Sequence, residues 1–172
     1  MPWSSPAGKD FIVEFVNQIN PSTVVDIGPG AGAYSKLLRK PDQYWTCVEI
    51  WAPYVERYKL HELYNKVIIA DVLHWEATYS DVCICGDVIE HLSFLDAKKA
   101  LRKLRRASEY VVISIPLSFY PQGEAEGNPY ERHVDPDWSY DKVLNLGGQP
   151  FMFKSFMDAG GTKIGVFVYD KE

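Results

Sequence analysis

The stretch Val24-Val25-Asp26-Ile27-Gly28-Pro29-Gly30-Ala31-Gly32 decides the fold. An apolar strand runs into three glycines at alternate positions, and a helix-forming segment, residues 33–39, follows at once. Glycine adopts backbone angles closed to other residues and lets a ligand approach the chain, while the helix start beyond it offers unpaired N–H groups. Strand, glycine turn and helix in that order make a cradle for a nucleotide-like ligand.

Outward from that cradle, residues 23–27, 45–50, 66–70, 81–85 and 110–115 read as short strands, apolar on both faces. Helices fall between them: residues 33–39, residues 53–64, and residues 94–107 with Phe94, Ala97, Leu101 and Leu104 as an inward stripe. Such alternation predicts a parallel sheet covered on both sides. Ahead of it, Ser4-Ser5-Pro6 reads as a helix start, with Ser5 as the cap and Pro6 in the first helical position. Phe11, Ile12, Phe15, Val16 and Ile19 continue that helix, and Asn20-Pro21 ends it. Residues 116–137 form a long loop punctuated by Pro116, Pro121, Gly123, Gly127, Pro129 and Pro136, a length usually tied to function. A short helix over 139–146 follows, and then two strands, 151–157 and 163–169, joined as a hairpin. The expected fold is α/β: a doubly wound, seven-stranded, mostly parallel sheet with one antiparallel strand. One domain spans residues 1–172, with a helix in residues 1–20 and a substrate lid over residues 117–138.

A chain of 172 residues suits one domain with a core of its own. Its net charge of −5 gives no general attraction to nucleic acid or to an anionic membrane. A basic run, Lys98, Lys99, Arg102, Lys103, Arg105 and Arg106, decorates one helix and reads first as a solvated face. Nucleic acid therefore ranks behind a small molecule as partner. Cys47, Cys83 and Cys85 lie in apolar runs and read as reduced, buried thiols. No run approaches a membrane span, and the first residues show no leader pattern, so a cytoplasmic location is expected.

Gly28, Gly30 and Ala33 also satisfy the dinucleotide fingerprint, with Glu49 placed to hold a ribose, so a nicotinamide oxidoreductase is a rival reading. Asp26 separates the two. A carboxylate beside the turn would repel a pyrophosphate, whereas the sulfonium and ammonium groups of S-adenosylmethionine suit it.

The motifs VVDIGPGAGAYS, CVEI, IIADV and CGDVIEHLS each end a strand in the right order, and together they resemble a class I, Rossmann-like methyltransferase. More narrowly, DVIEHL and PQGEAEGNPYERHVDPDW resemble a group of small methyltransferases. The resemblance implies S-adenosyl-L-methionine as cofactor and S-adenosyl-L-homocysteine as product. It implies that Asp26, Gly28, Pro29, Gly30, Gly32 and Tyr34 surround the amino-acid part, that Glu49 and Ile50 hold the ribose, that Asp71 and the Val72 backbone meet the adenine, and that Asp87 and Val88 border the methyl.

Glu90 and His91 gather beside Asp87, and His133 in the long loop is placed to join them. A histidine there can take a proton from a hydroxyl or amine. Glu90, His91 and His133 are the catalytic candidates, and Tyr130 with Trp138 reads as a wall for the acceptor. Two acids and two histidines also resemble the metal cluster of Hen1-like RNA ribose methyltransferases, which keeps a divalent metal as a secondary expectation with its ligands unassigned. The expected reaction is methyl transfer to a small or medium acceptor, at oxygen or nitrogen ahead of carbon. A module that binds the cofactor without turnover stays open beside it, and so does a homodimer, since so short a chain has no inserted substrate domain.

Overall fold

The structure, a computed structural model, describes residues 5–172. Ser4 and the first residues of the 1–20 segment lie outside the described part. Seven strands form one sheet: β1 (Thr23–Ile27), β2 (Tyr44–Glu49), β3 (Lys66–Ile69), β4 (Ser80–Gly86), β5 (Ser108–Pro116), β6 (Met152–Met157) and β7 (Lys163–Asp170). Their order is β3-β2-β1-β4-β5-β7-β6. β1 pairs in parallel with both β2 and β4, and β7 runs against its neighbours β5 and β6. The single antiparallel strand is therefore the second strand of the hairpin, inserted so that β6 forms the edge.

Helices cover both faces because the central strands are apolar on both. On one side, α1 (Lys9–Ile19) and α2 (Ala33–Leu38) bury Ile12, Phe15, Val16 and Leu38 with Trp45 and Val55. On the other, α5 (Phe94–Ala107) and α6 (Tyr140–Gly147) bury Ala97, Leu101, Leu104, Val143 and Leu146. Each large aliphatic side chain so buried contributes about 1.5–3 kcal/mol. α5 begins at a reciprocal cap: Ser93 Oγ accepts from the Asp96 N–H at 3.2 Å and donates to the Asp96 carboxylate at 2.7 Å. Such a cap contributes about 1 kcal/mol.

Two expected helices differ. α1 starts at Lys9 rather than Pro6, because Gly8 adopts a left-handed conformation (φ 85°) that no helix continues. Ser5 caps only the turn before it, accepting from the Ala7 N–H at 3.2 Å. The helix expected over 53–64 breaks into α3 (Ala52–Arg57) and α4 (Leu60–Leu63), since Lys59 sits at φ 52° between them.

The basic face of α5 makes ion pairs that, apart from that of Arg105, lie on the surface. Arg102 and Arg106 pair with Glu172, Arg105 pairs with Asp170, and Lys99 pairs with Asp96. Among the described residues, no helix is long and apolar enough to cross a membrane.

Candidate active site

The strand order reverses between β1 and β4, and a cavity opens there at the C-terminal ends of the parallel strands, where doubly wound sheets hold ligands. Its floor is the glycine turn. Gly28 and Gly30 take φ of 62° and 51°, and a Cβ on Gly28 would stand 2.7 Å from Val88 Cγ2. Only glycine leaves that space open. Tyr34, from the first turn of α2, lies so close over the end of β4 that a Cβ on Gly86 would meet its hydroxyl at 2.5 Å.

Glu49 closes β2 and is almost wholly buried. Its Oε1 accepts from the Trp51 N–H at 2.8 Å, yet burial lifts the carboxyl to about 7. Asp71 and Val72 follow β3. Asp71 Oδ1 accepts from the Leu73 N–H at 2.8 Å, which fixes the carboxylate at the cavity edge.

The opposite rim is built after β4. Asp87 holds a left-handed backbone (φ 54°), and its N–H donates to the Ser114 carbonyl at 2.8 Å. A 3-10 turn, Ile89–His91, then carries Glu90 inward. Glu90 is buried, and Oε2 has no hydrogen-bond partner among the described residues. Burial drives its carboxyl well above the usual range, and neighbouring Asp87 adds like-charge repulsion.

The loop over residues 117–138 folds back on itself across this rim. Tyr120 N–H donates to the Pro136 carbonyl at 2.8 Å, His133 N–H to Gln122 at 3.0 Å, and Asp135 N–H to Glu90 at 3.2 Å. That last bond seats His133 against His91, with ring centroids 4.8 Å apart and planes at 75°. Nδ1 of His91 meets the Arg132 carbonyl, and Nδ1 of His133 meets the Tyr120 carbonyl. A carbonyl only accepts, so each Nδ1 carries the proton and each Nε2 keeps its lone pair in the neutral ring. Desolvation lowers both imidazole pKa values and favours that neutral form. One ligand atom from each of Glu90, His91 and His133 falls within 4.8 Å of the others. The cluster thus sets two imidazole Nε2 acceptors beside a carboxyl whose burial favours its protonated form and which a nearby cation would ionise.

Asp26 and Gly32 stand behind this wall. Asp26 is buried beneath the turn, where the Tyr64 hydroxyl donates to it at 2.6 Å, and desolvation raises its carboxyl to about 7. A Cβ on Gly32 would press on Leu63 at 2.5 Å.

A comparison with protein families matches residues 25–109 to a methyltransferase domain. Residues 25–109 are a methyltransferase domain, and the chain has the class I, S-adenosylmethionine-dependent methyltransferase fold. A comparison with curated protein sequences finds no match. Solved structures share the fold. The N-terminal domain of EvdMO1 with SAH bound aligns at a TM-score of 0.72, with 15% identity over 98% of this chain and 83% of its own. Magnesium protoporphyrin IX methyltransferase (ChlM) from Synechocystis PCC 6803 with bound SAM aligns at 0.71, with 13% identity over 95% of this chain and 77% of its own. The methyltransferase domain of bacterial CtHen1 aligns at 0.66, with 22% identity over 92% of this chain and 95% of its own.

The nicotinamide reading ends with those matches. In this methyltransferase the cavity wall takes Gly28, Pro29, Gly30, Tyr34, Glu49, Ile50, Asp71, Val72, Asp87, Val88, Glu90, His91 and His133 from among the expected site residues. Trp138 is corrected: it does not wall the acceptor. It is buried, packed on Phe94 at 6.2 Å and capped by Lys142, and anchors the loop's end in the core. Trp75 packs in the core on the same side as α5. Tyr54, Tyr120 and Gln122 also line the cavity, with Asp158, Thr162 and Ile164 from the β6–β7 hairpin. None of these carried a sequence signal beyond its place in a helix, a loop or a turn.

Proposed function

We propose that this methyltransferase moves the methyl group of S-adenosylmethionine to an oxygen or nitrogen of a small or medium acceptor. One observation carries the reading: a single cavity joins the glycine cradle and Glu49 on one side to the Glu90–His91–His133 cluster on the other. The cofactor supplies a methyl group activated on a sulfonium, and S-adenosylhomocysteine is the product.

The chain's own residues bind and orient. Gly28, Pro29 and Gly30 with Tyr34 receive the amino-acid end at the start of α2. Glu49, with Ile50 beside it, accepts from the ribose hydroxyls, which needs the ionised carboxyl. Asp71 and Val72 offer an acceptor and a main-chain edge to the adenine. Asp87 and Val88 border the methyl, while Asp26 and Gly32 brace the turn from below. His91 or His133 takes the acceptor's proton on Nε2, a role worth about 10²–10⁴-fold in rate. Among the described residues the cavity wall holds acids and neutral histidines but no lysine or arginine, which favours a neutral or cationic acceptor over a phosphorylated one. Free, buried cysteines suit a reducing, cytoplasmic setting.

Calorimetric titration with S-adenosylhomocysteine tests the cofactor assignment, and the absence of binding at millimolar concentration overturns it. A panel of hydroxyl and amine acceptors, read by S-adenosylhomocysteine release, then identifies the nucleophile.

A second reading has its own observation. Glu90, His91 and His133 form a ligand set for a divalent cation, each Nδ1 held by a carbonyl as metal-bound histidines commonly are. The fold shared with CtHen1 fits it. Mn²⁺ or Zn²⁺ would polarise the acceptor oxygen there. Retention of one metal per chain after gel filtration, lost in His133→Asn, supports this reading; activity unaffected by chelation excludes it.

A further inference from the structure

Lys103 has a partner set unlike those of its neighbours on α5. Its ammonium donates to the carbonyl oxygens of Val72 at 2.9 Å, Leu73 at 2.8 Å and Trp75 at 2.8 Å. An ammonium has three hydrogens, and each has a main-chain acceptor here. Lys99 pairs with Asp96, Arg102 with Glu172 and Arg105 with Asp170, and Arg105 also donates to the separate carbonyls of Gly147 and Asp170, whereas Lys103 donates to three carbonyls of one turn.

That turn follows β3 and is organised around Asp71. The Asp71 carbonyl accepts from His74 N–H at 3.0 Å and Trp75 N–H at 2.8 Å, and its carboxylate accepts from Leu73 N–H at 2.8 Å. With the N–H groups drawn to Asp71, three carbonyl dipoles converge on the far side. Their negative ends repel unless a cation sits between them. Lys103 is that cation. Asp71 and Val72 line the cavity, and Lys103 stands outside it, beside a shallow groove with Trp75, Glu76 and Tyr79.

We propose that Lys103 is a positioning residue for the cofactor: from outside the cavity it holds the Asp71–Val72 edge in the shape that reads the adenine. The inference rests on the assignment of that edge to adenine in the proposed function. It predicts selectivity for one part of the ligand. Loss of the ammonium loosens the adenine edge and leaves the glycine cradle and Glu49 untouched.

The test uses the full chain and three variants, Lys103→Met, Lys103→Gln and Lys103→Arg. Calorimetry measures binding of S-adenosylhomocysteine, of 5′-methylthioadenosine and of S-ribosylhomocysteine, which lacks the base. Lys103→Met is expected to weaken the two adenine-bearing ligands by about tenfold or more, the scale of one charge-assisted hydrogen bond. S-ribosylhomocysteine is expected to bind within about twofold of wild type. Lys103→Arg, whose planar fork cannot meet three converging carbonyls, falls between the two. Amide hydrogen exchange over residues 72–75 quickens in each variant. If Lys103→Met does not fold, Lys103→Arg and Lys103→Gln carry the same comparison. Equal weakening of all three ligands reduces Lys103 to a stability residue and overturns the proposal, and so does no weakening at all. A wild-type chain that binds none of the three overturns the cofactor assignment instead.

Discussion

The imidazoles of His91 and His133 meet edge to face, with centroids 4.8 Å apart, and Glu90 lies buried beside them. One ring comes from the turn after β4 and the other from the long loop. The loop thus supplies one of the three members of the cluster, and its removal takes His133 away.

Replacing either ring separates binding from chemistry. His91→Asn and His133→Asn are each expected to lower kcat by about 10²–10⁴-fold. S-adenosylhomocysteine should still bind within about twofold of wild type, because neither ring belongs to the cradle. Initial rates beside calorimetric affinities check this, and a parallel loss of affinity refutes the assigned roles.

Glu49 carries the opposite signature. Glu49→Ala removes charged-acceptor hydrogen bonds to the ribose, worth about 1.5–3 kcal/mol, which is roughly a 10- to 150-fold weaker Kd for S-adenosylhomocysteine. Burial lifts the carboxyl to about 7. Wild-type affinity should therefore rise between pH 6 and 8 and flatten above, and the Ala variant should lose that slope.

Asp26 links pH to stability. Burial raises its carboxyl from 3.8 to about 7. The folded chain therefore binds a proton that the unfolded chain has released, and stability falls as pH rises from about 4 to 7. Asp26→Asn, which stays neutral, should lack this slope, so its margin over wild type should be larger at pH 8 than at pH 5. Urea denaturation at both pH values measures the difference; an equal gap at each refutes the linkage.

Trp138 should matter to the fold more than to the acceptor. Trp138→Ala empties a site against Phe94 and is expected to cost about 3–5 kcal/mol. The loss should be read in the denaturation midpoint. Any acceptor preference should survive, since the ring does not reach the cavity.

The sheet and the cradle were legible because apolar strands and glycines record their own geometry: β1 admits no polar face, and Gly28 admits no Cβ. Glu49 and Asp71 were legible for the same reason, as charges where apolar strands stop. Trp138 misled because an aromatic in a polar loop reads as a ligand wall, while its burial depends on Phe94, far earlier in the chain. The late start of α1 was hidden too. Ser5-Pro6 has the composition of a helix cap, and only the packing of Gly8, whose Cβ would strike Val166 at 2.7 Å, forces the extra turn. The partners of Lys103 were unreadable from a helix face that looks uniformly basic.

The loop's tip is fastened to α3 by Arg57 and Glu126, an ion pair on the protein surface. Both ends of the loop are held more firmly, by Leu117 on Lys163 and by Trp138 in the core. Beside that pair the tip is held by the Tyr58 hydroxyl on Glu126 at 3.4 Å and by Trp51 packed on Tyr130, which makes it the more exposed end of the fastening among the described residues. Surface ion pairs weaken as ionic strength rises. If cofactor passes under the tip, the dissociation rate of S-adenosylhomocysteine is expected to rise with salt, which stopped-flow release at two ionic strengths measures.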